Sequence, residues 1–226
     1  MRLGVLFSGG KDSTFAMYKL IKHNKIACLI SIVSKNPESF MFHTPNIHLV
    51  ELQAKALGIP LILKETQGKK ERELKDLKNA IIEAQEKYKI DGIVTGAVAS
   101  KYQKERIEKI CNELKLKCIS PLWLKEQIEL LNEIIDSGFN IIISGVFAYP
   151  LDEKWLGKEI DREIIDKLAK LQDRYKLNPS GEGGEIETTV LNCPMFKKKI
   201  EIIESEIKFK GNSGVYLIKK ARLIEK

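Results

Sequence analysis

The sequence predicts an α/β protein built on a doubly wound, mostly parallel five-stranded sheet, followed by a smaller α+β region. Short runs of β-branched and aliphatic residues, typical of strands buried on both faces, alternate with segments of helical period as far as residue 146. Strand–helix–strand units repeated at this spacing indicate parallel strands joined by helical crossovers. Beyond residue 150 the pattern changes to one helix and then to alternating segments.

The elements of the first region follow in order along the chain. Strand-like runs cover residues 3–7, 26–33, 59–63, 92–96, 117–120 and 139–146. Between these runs, apolar residues recur at steps of three, four and seven, which places them on one helix face. These residues are Leu74, Leu77, Ile81 and Tyr88, then Ile107, Ile110 and Leu114, and then Leu124, Ile128 and Leu131.

A second region begins near Pro150. One helical stripe comes first, and Asn178 and Pro179 after it are typical of a helix end. The stripe consists of Ile160, Ile164, Leu168, Leu171 and Tyr175. Alternating segments follow around residues 186–191, 199–209 and 215–224, and Gly-Asn-Ser-Gly at 211–214 is typical of a hairpin loop. We therefore predict a larger domain over residues 1–148 and a smaller α+β domain over residues 149–226.

Composition limits the classes of protein that fit. The chain has 226 residues, of which 43% are hydrophobic, and this fraction excludes a disordered chain. No run approaches the roughly 18 apolar residues of a membrane helix, and the N-terminal apolar run is too short for a signal peptide. We expect a cytoplasmic protein with no membrane partner. The four cysteines lack CxxC or zinc-site spacing, so we expect reduced and mostly buried thiols.

The net charge of +7 is spread along the chain. Residues 151–195 are the exception, because they carry 7 basic and 10 acidic side chains. The mild excess of basic residues over the whole chain is typical of a lysine-rich solvated surface, and we do not expect a nucleic acid partner.

Residues 8–13, Ser-Gly-Gly-Lys-Asp-Ser, lie between the first predicted strand and the first predicted helix. Glycines there let backbone N–H groups converge, and the start of the helix adds partial positive charge. The hydroxyls of Ser8 and Ser13 and the ammonium group of Lys11 are suited to phosphate oxygens. The spacing matches neither GxxxxGK[ST] nor GxGxxG. We predict a phosphate site formed by Ser8, Gly9, Gly10, Lys11, Asp12 and Ser13.

This string resembles the pyrophosphatase loop of the ATP pyrophosphatases, which split ATP between the α and β phosphates. The resemblance implies a five-stranded parallel sheet, ATP as co-substrate and an adenylylated substrate. Open α/β sheets bind ligands at the carboxyl ends of their strands, which agrees with the loop's position. The loop alone leaves open tRNA thiolases, lysidine synthase, GMP synthetase and asparagine synthetase.

Residues 96–111, with the sequence GAVASKYQKERIEKIC, begin where a predicted strand ends. Gly96 would permit a close approach of another backbone segment, and Ser100 can cap the next helix. Tyr102 and Arg106 are four residues apart and share a helix face, where Arg106 could hold a phosphate or carboxylate. An ordinary capped helix with surface Gln and Arg side chains is the alternative.

The loop at residues 41–48, with the sequence MFHTPNIH, follows the second predicted strand. Its two histidines, His43 and His48, could reach a ligand. Loop histidines are also commonly just solvated, so both readings stay open.

Residues 181–189, with the sequence GEGGEIETT, bring three carboxylates onto a glycine-rich turn that enters a strand. Glu185 and Glu187 would point to the same side of that strand. With Glu182 they could bind an amine, hold Mg²⁺, or act as a base on incoming ammonia. An acidic surface loop is the alternative.

Together these segments resemble the diphthine–ammonia ligase family, which makes diphthamide on translation elongation factor 2. The resemblance covers nearly the whole chain and includes the phosphate loop, MFHTPN at 41–46, the block from 96 to 111 with Pro121-Leu122-Trp123, LDEKWLG at 151–157, and GEGGEIETTVLNCP at 181–194 with Phe196. The last block is the most specific of these. The chain is short and resembles the compact archaeal form.

The resemblance implies that ATP and ammonium convert the diphthine carboxylate of elongation factor 2 to diphthamide, releasing AMP and pyrophosphate. It implies catalytic roles for Lys11, Asp12, Glu185 and Glu187. For the nucleotide it implies the phosphate loop with Val33, Ser34, Gly96 and Ala97. For the substrate it implies His43, Asn46, Tyr102, Gln103, Arg106, Glu182, Glu185 and Glu187. It also implies Mg²⁺ as a cofactor beside ATP, with Asp12 as a ligand.

Two other functions stay open at this point. One is a different ATP pyrophosphatase-type ligase or a tRNA-modifying enzyme, although the missing CxxC argues against thiolation. The other is a non-catalytic module that binds ATP or AMP. The sequence leaves open the oligomeric state, a homodimer being one option, and does not separate a base from a binding carboxylate among the three glutamates.

Overall fold

The computed structural model describes residues 1–36, 45–68 and 70–226, apart from the side chains of residues 70 and 71. The strands in these ranges are β1 (Arg2–Leu6), β2 (Lys25–Ser34), β3 (Leu61–Thr66), β4 (Gly92–Val94), β5 (Lys117–Ile119), β6 (Asn140–Val146), β7 (Ile186–Asn192), β8 (Lys199–Lys210) and β9 (Ser213–Ile224). The helices are α1 (Lys11–Ile21), α2 (Val50–Leu57), α3 (Lys70–Tyr88), α4 (Lys101–Glu113), α5 (Gln127–Asp136) and α6 (Arg162–Tyr175).

The first sheet is five-stranded and parallel, in the order β3-β2-β1-β4-β5. This confirms the predicted fold class. The chain order runs outward from β1 to β3 and then restarts on the other side of β1 with β4. A crevice opens at such a switch point, outside the carboxyl ends of the strands, and it is the general ligand site of open α/β sheets.

Helices cover both faces of this sheet, which explains why its strands are apolar without alternation. On one face, α3 and α4 bury Leu77, Ile81, Ile107 and Ile110 against the strands. On the other face α1 is buried through Phe15, Ala16 and Met17.

The second sheet is antiparallel, in the order β7-β6-β9-β8. The predicted hairpin loop is confirmed, because Gly211 and Asn212 connect β8 to β9. Strand β6, which corresponds to the run at 139–146, pairs with β7 and β9 and is therefore part of this second sheet. The boundary at 148/149 stays a prediction, and β6 lies on its N-terminal side.

The helix predicted from Leu124 onward begins three residues later than the pattern indicates. Leu124 has a left-handed φ of 58° and a side chain that is 71% exposed. Its N–H group donates to the carbonyl of Val98 at 2.7 Å, so it anchors a loop. Glu126 caps α5 by accepting from the N–H of Glu129 at 2.6 Å. The prediction that Leu124 belongs to the helix is wrong, because its backbone is committed to this loop contact.

Helix α1 lies between the two sheets and packs against both of them. It contacts β1, β2 and β4 of the first sheet and β7 of the second. The ring of Phe15 packs edge-on against Phe139, just before β6, with centroids 5.5 Å apart. One hydrophobic cluster therefore includes both sheets. The start of α1, which carries the predicted phosphate loop, is fixed from two sides.

All four cysteines are free thiols, and Cys28, Cys111 and Cys193 are buried as expected. None of the described helices is long and apolar enough to cross a membrane.

Candidate active site

The predicted phosphate loop connects the end of β1 to α1. Gly9 has a left-handed φ of 78°, and a Cβ atom there would lie 2.2 Å from Oε1 of Gln53. Only glycine meets both conditions without strain. Helix α1 begins directly after Gly10, so its N-terminal N–H groups and the positive end of its dipole point out of this loop.

Two serine hydroxyls close the loop on itself. The Oγ atoms of Ser8 and Ser13 lie 3.2 Å apart, and the N–H of Ser8 donates to Oγ of Ser13 at 3.3 Å. The hydroxyl of Ser13 also lies 3.2 Å from the carbonyl of Gly10. These contacts hold both hydroxyls at the mouth of the loop. Phosphate oxygens are predicted to bind at this position.

Strand β7 of the second sheet holds the outer side of the loop. The N–H of Lys11 donates to Oγ1 of Thr188 at 3.1 Å, and the N–H of Val190 donates to the carbonyl of Gly9 at 3.1 Å. Gln53 of α2 adds a bridge, since its Nε2 group lies 2.9 Å from both the Gly9 and the Val190 carbonyls. The loop conformation therefore depends on two elements, β7 and α2, that are distant from it in sequence.

The two charged side chains of the loop form an ion pair in which the lysine is buried and the aspartate is partly exposed. Lys11 is 2% exposed, and its ammonium group donates to Oδ2 of Asp12 at 2.7 Å and to the carbonyl of Ser180. The second oxygen of Asp12, Oδ1, is buried without a hydrogen-bond partner. Because an unpaired buried carboxylate oxygen is costly, this atom is suited to a cation or a donor group supplied by a ligand.

Gly96 allows the end of β4 to reach this loop. A Cβ atom at Gly96 would lie 2.6 Å from the backbone nitrogen of Ser13 and 2.7 Å from the carbonyl carbon of Asp12. The close backbone approach that the sequence predicts for Gly96 is therefore confirmed. Ser100 also caps α4 as predicted, by accepting from the N–H of Gln103.

A cavity of about 570 Å³ lies between the phosphate loop and the acidic loop at residues 181–187. This volume is within the range of pockets that hold nucleotide-sized ligands. It opens at the carboxyl ends of β1 and β4, as expected for a switch point. Its inner wall is apolar and is formed by Leu6, Phe7, Ile30, Ile32, Leu77 and Ile107.

Glu187 is the most strongly perturbed carboxyl group of the cavity. Burial raises its pKa to about 7, the nearby Lys11 partly offsets this increase, and the charge of Asp12 adds to it. A carboxyl group with this pKa exchanges its proton near neutral pH, which is what a general base requires.

Glu182 reaches across the mouth of the cavity. Its Oε2 atom accepts from the N–H of Ala99 at 2.8 Å, which links the acidic loop to the segment after β4. Burial raises its pKa and the charge of Asp12 adds to this, whereas the Ala99 hydrogen bond and Lys11 lower it. Glu182, Glu187 and Asp12 thus concentrate negative charge around Lys11.

The comparison with known protein families agrees with both parts of this site. The diphthamide synthase N-terminal domain matches residues 1–118, and the diphthamide synthase C-terminal domain matches residues 126–224. The chain belongs to the diphthamide synthase family. This membership decides among the ATP pyrophosphatase relatives that the loop alone leaves open.

Two relatives of this diphthamide synthase family member match it over most of their own length. The diphthine–ammonia ligases of Bos taurus and Homo sapiens are each 35% identical over 227 residues, which is 92% of this chain and 85% of each relative. Among solved structures, a predicted subunit of tRNA methyltransferase from Methanocaldococcus jannaschii has a TM-score of 0.45 and 19% identity, covering 86% of this chain and 98% of its own. That likeness is too remote to inform the function.

The structure brings most of the sequence-predicted site residues together. The cavity is lined by Ser8, Gly10, Lys11, Asp12, Ser13, Gly96, Ala97, Gln103, Glu182 and Glu187. Gly9 is not among the lining residues, and its carbonyl binds Val190 and Gln53 on the side of the loop that faces β7 and α2. Val33 and Ser34 are not among the lining residues; Ile30 and Ile32, earlier on β2, are. His43 lies outside the described residues.

Glu185 differs from its prediction. It precedes β7, which begins at Ile186, and so does not share a strand face with Glu187. Its Oε1 accepts from Nδ2 of Asn178 at 2.6 Å, and its Oε2 accepts from the N–H of Gly183 at 2.8 Å. The turn closes around this carboxylate and keeps it out of the cavity wall.

Asn46 is buried outside the cavity. Its Nδ2 donates to the carbonyl of Tyr216 at 2.9 Å, and its Oδ1 accepts from the N–H of Ile218 at 2.8 Å. His48 makes a similar contact, with Nε2 2.9 Å from the carbonyl of Ile218. These side chains attach the segment before α2 to β9, and the substrate-binding role of Asn46 stays a prediction.

Tyr102 and Arg106 share a helix face as predicted. The guanidinium carbon of Arg106 lies 3.4 Å from the ring centroid of Tyr102, and its Nη1 donates to the Tyr102 carbonyl at 3.2 Å. The pair lies outside the cavity lining, and only Gln103 of this helix turn reaches it. A ligand role for Tyr102 and Arg106 stays a prediction.

Sequence reasoning missed several residues that shape the site. Gln53, Thr188, Ser180 and Gln127 bind the loops through side-chain or backbone groups. Thr188 belongs to the conspicuous acidic block and could have been singled out there. A lone glutamine on a helix carries no local signal, because its partners are set by tertiary packing.

Thr188→Val removes the acceptor of the Lys11 N–H group and keeps the size of the side chain. We expect the Kd for a non-hydrolysable ATP analogue, measured by calorimetry, to increase about tenfold, which corresponds to about 1.4 kcal/mol. Thr189→Val is the matched control, since its hydroxyl only meets Asn46 at 3.4 Å. Equal Kd values for Thr188→Val and the wild type would contradict the role of β7 in shaping the loop.

Glu187→Gln tests the raised pKa through stability. Between the ordinary value of 4.5 and about 7, the folded state retains a proton that the unfolded state has released. The free energy of unfolding therefore falls as pH rises through this window, and Gln removes that contribution. At about pH 8 we expect the variant to be more stable than the wild type by about 1–3 kcal/mol in urea unfolding, with the difference vanishing near pH 4.

The control for this experiment is Glu129→Gln, an exposed carboxyl on α5. It should leave the pH dependence of unfolding unchanged. If Glu187→Gln followed the wild type at every pH, the carboxyl group of Glu187 would have an ordinary pKa.

Proposed function

We propose that this protein is a diphthine–ammonia ligase, which uses ATP and ammonium to convert the diphthine carboxylate of elongation factor 2 to diphthamide, releasing AMP and pyrophosphate. One observation carries the proposal beyond family membership: a phosphate-binding loop and a carboxylate-bearing loop face each other across a single cavity. The first is suited to ATP and the second to a cationic substrate or ammonium.

The first step makes the carboxylate reactive. A diphthine carboxylate oxygen attacks the α phosphorus of ATP, an acyl adenylate forms, and the bond to pyrophosphate breaks. Backbone N–H groups of the loop, the start of α1 and the ammonium group of Lys11 would stabilise the charge that develops on pyrophosphate. Because Lys11 is buried and held by Asp12 and Ser180, it is positioned before ATP arrives.

The second step forms the amide. Ammonia attacks the acyl carbon, the C–N bond forms, the attached nitrogen releases a proton to solvent, and AMP leaves with the electron pair of the broken C–O bond. Ammonium must first lose a proton, and Glu187 is the group in the cavity whose pKa of about 7 suits it to accept one. Glu182 adds negative charge at the mouth, which favours ammonium and the cationic diphthine side chain.

The residues present are also suited to Mg²⁺. Magnesium is commonly held by one or two carboxylates together with substrate phosphates and water. Asp12 offers the buried Oδ1 atom that has no hydrogen-bond partner, beside the loop that would bind the phosphates. Among the described residues, no three or more His, Cys, Asp or Glu side chains are placed so that together they could hold a metal ion. Bound Mg²⁺ would supply Lewis-acid stabilisation of phosphate charge.

The protein substrate would enter at the open side of the cavity, where Glu182 spans from the acidic loop to Ala99. Since elongation factor 2 works in translation, we also propose that the ligase acts in the cytoplasm.

Pyrophosphate release measured with three forms of elongation factor 2 tests this function. We expect release with the diphthine-bearing form and none above background with the unmodified or diphthamide-bearing forms, because only diphthine offers the carboxylate. Glu187→Gln should keep ATP-analogue binding within about twofold and lower diphthamide formation about 100-fold. Glu129→Gln serves again as the control.

Two results would overturn the proposal. One is pyrophosphate release that does not depend on the modification state of the factor. The other is a Glu187→Gln variant with full amidation activity, which would remove the base assigned here.

A further inference from the structure

Gln127, the first residue of α5, uses both ends of its side-chain amide at the edge of the active site. Its Oε1 accepts from the N–H group of Ser180 at 3.0 Å and from the Ser180 hydroxyl at 2.7 Å. Its Nε2 donates to Oδ1 of Asn178 at 3.1 Å. The side chain thus binds two residues of the segment between α6 and the acidic loop.

The chemistry of the partners fixes the direction of these bonds. A backbone N–H group can only donate, so the Gln127 end that faces Ser180 must be the carbonyl oxygen. The other end is then the NH₂ group, and it requires the oxygen of Asn178. This leaves the Asn178 NH₂ group facing Oε1 of Glu185 at 2.6 Å, where a donor is needed. The orientation of each amide therefore follows from one backbone group.

Each branch ends on a charged group, Lys11 of the phosphate loop or Glu185 at the centre of the acidic loop's turn. Ser180 is 1% exposed, and its carbonyl accepts from the ammonium group of Lys11, the cation of the phosphate loop. Asn178 donates to Glu185 through both its side chain and its backbone N–H, at 2.6 and 3.3 Å. A single side chain on α5 thus connects the phosphate loop to the acidic loop.

We propose that Gln127 is a positioning residue of the amidation reaction, setting the place of Lys11 through Ser180 and, through Asn178 and Glu185, the conformation of the acidic loop that carries Glu182. The inference rests on the proposed function for its effect on turnover. Its effect on nucleotide binding does not depend on that function.

The test uses two substitutions that separate the branches. Gln127→Ala removes both. Gln127→Glu keeps an oxygen for Ser180 and replaces the donor to Asn178 by a second acceptor, so it breaks only the branch to Glu185. Gln85→Ala is the matched control, because Gln85 is a half-buried glutamine on α3 with a bond to the carbonyl of Leu114 at 3.3 Å.

The measurements are the Kd of a non-hydrolysable ATP analogue and the KM values for ammonium and for diphthine-bearing elongation factor 2. We expect Gln127→Ala to raise the analogue Kd about tenfold and at least one of the two KM values about tenfold, since leaving the hydrogen-bonding groups of Ser180 and Asn178 without their partner costs about this much. Gln127→Glu should keep the analogue Kd within about threefold and still raise the same KM. Gln85→Ala should leave all three within about twofold.

Two outcomes would overturn the inference. One is a folded Gln127→Ala protein with wild-type Kd and KM values. The other is a Gln127→Glu protein whose analogue Kd rises as much as that of Gln127→Ala, or whose KM values do not rise. If the wild type made no diphthamide, the proposed function would fail, while the analogue comparison would still decide the branch through Ser180.

Discussion

The contact between strand β7 and the phosphate loop is the constraint on which the site depends. Thr188 accepts from the N–H of Lys11, Val190 donates to the carbonyl of Gly9, and Gln53 bridges the two backbones. Because β7 belongs to the antiparallel sheet and the loop to the parallel sheet, neither sheet alone completes the anion site. The same strand carries Glu187, so the contact that shapes the phosphate loop also sets the distance between the phosphate site and the proposed base.

This arrangement explains the electrostatics of the cavity. Joining the two sheets places the buried Lys11 together with Asp12, Glu182 and Glu187 around one cavity. Desolvation raises the pKa values of the two glutamates, whereas Lys11 lowers them and Asp12 raises them further. The raised pKa of Glu187, the proposed base, is therefore a product of the packing between the sheets and is not a property of the acidic loop by itself.

The sequence predicted the features that depend on local pattern. The parallel sheet, the phosphate loop and the close approach at Gly96 follow from buried strands and from glycines at strand ends. It did not predict where β6 pairs, because an apolar run fits either sheet. It placed Leu124 on a helix and Glu185 on a strand face, since periodicity ignores the hydrogen bonds to Val98 and Asn178. Gln53 and Gln127 were missed because their partners are distant in sequence.

The central claim is that one cavity activates the diphthine carboxylate with ATP and then delivers ammonia to it. Mass spectrometry of diphthine-bearing elongation factor 2, incubated with the protein, ATP and ¹⁵N-ammonium, tests this claim most directly. The account predicts one ¹⁵N atom incorporated as an amide on the diphthine side chain, with AMP and pyrophosphate released in equal amounts. The claim would be contradicted if the protein bound ATP but the recovered elongation factor 2 carried no ¹⁵N.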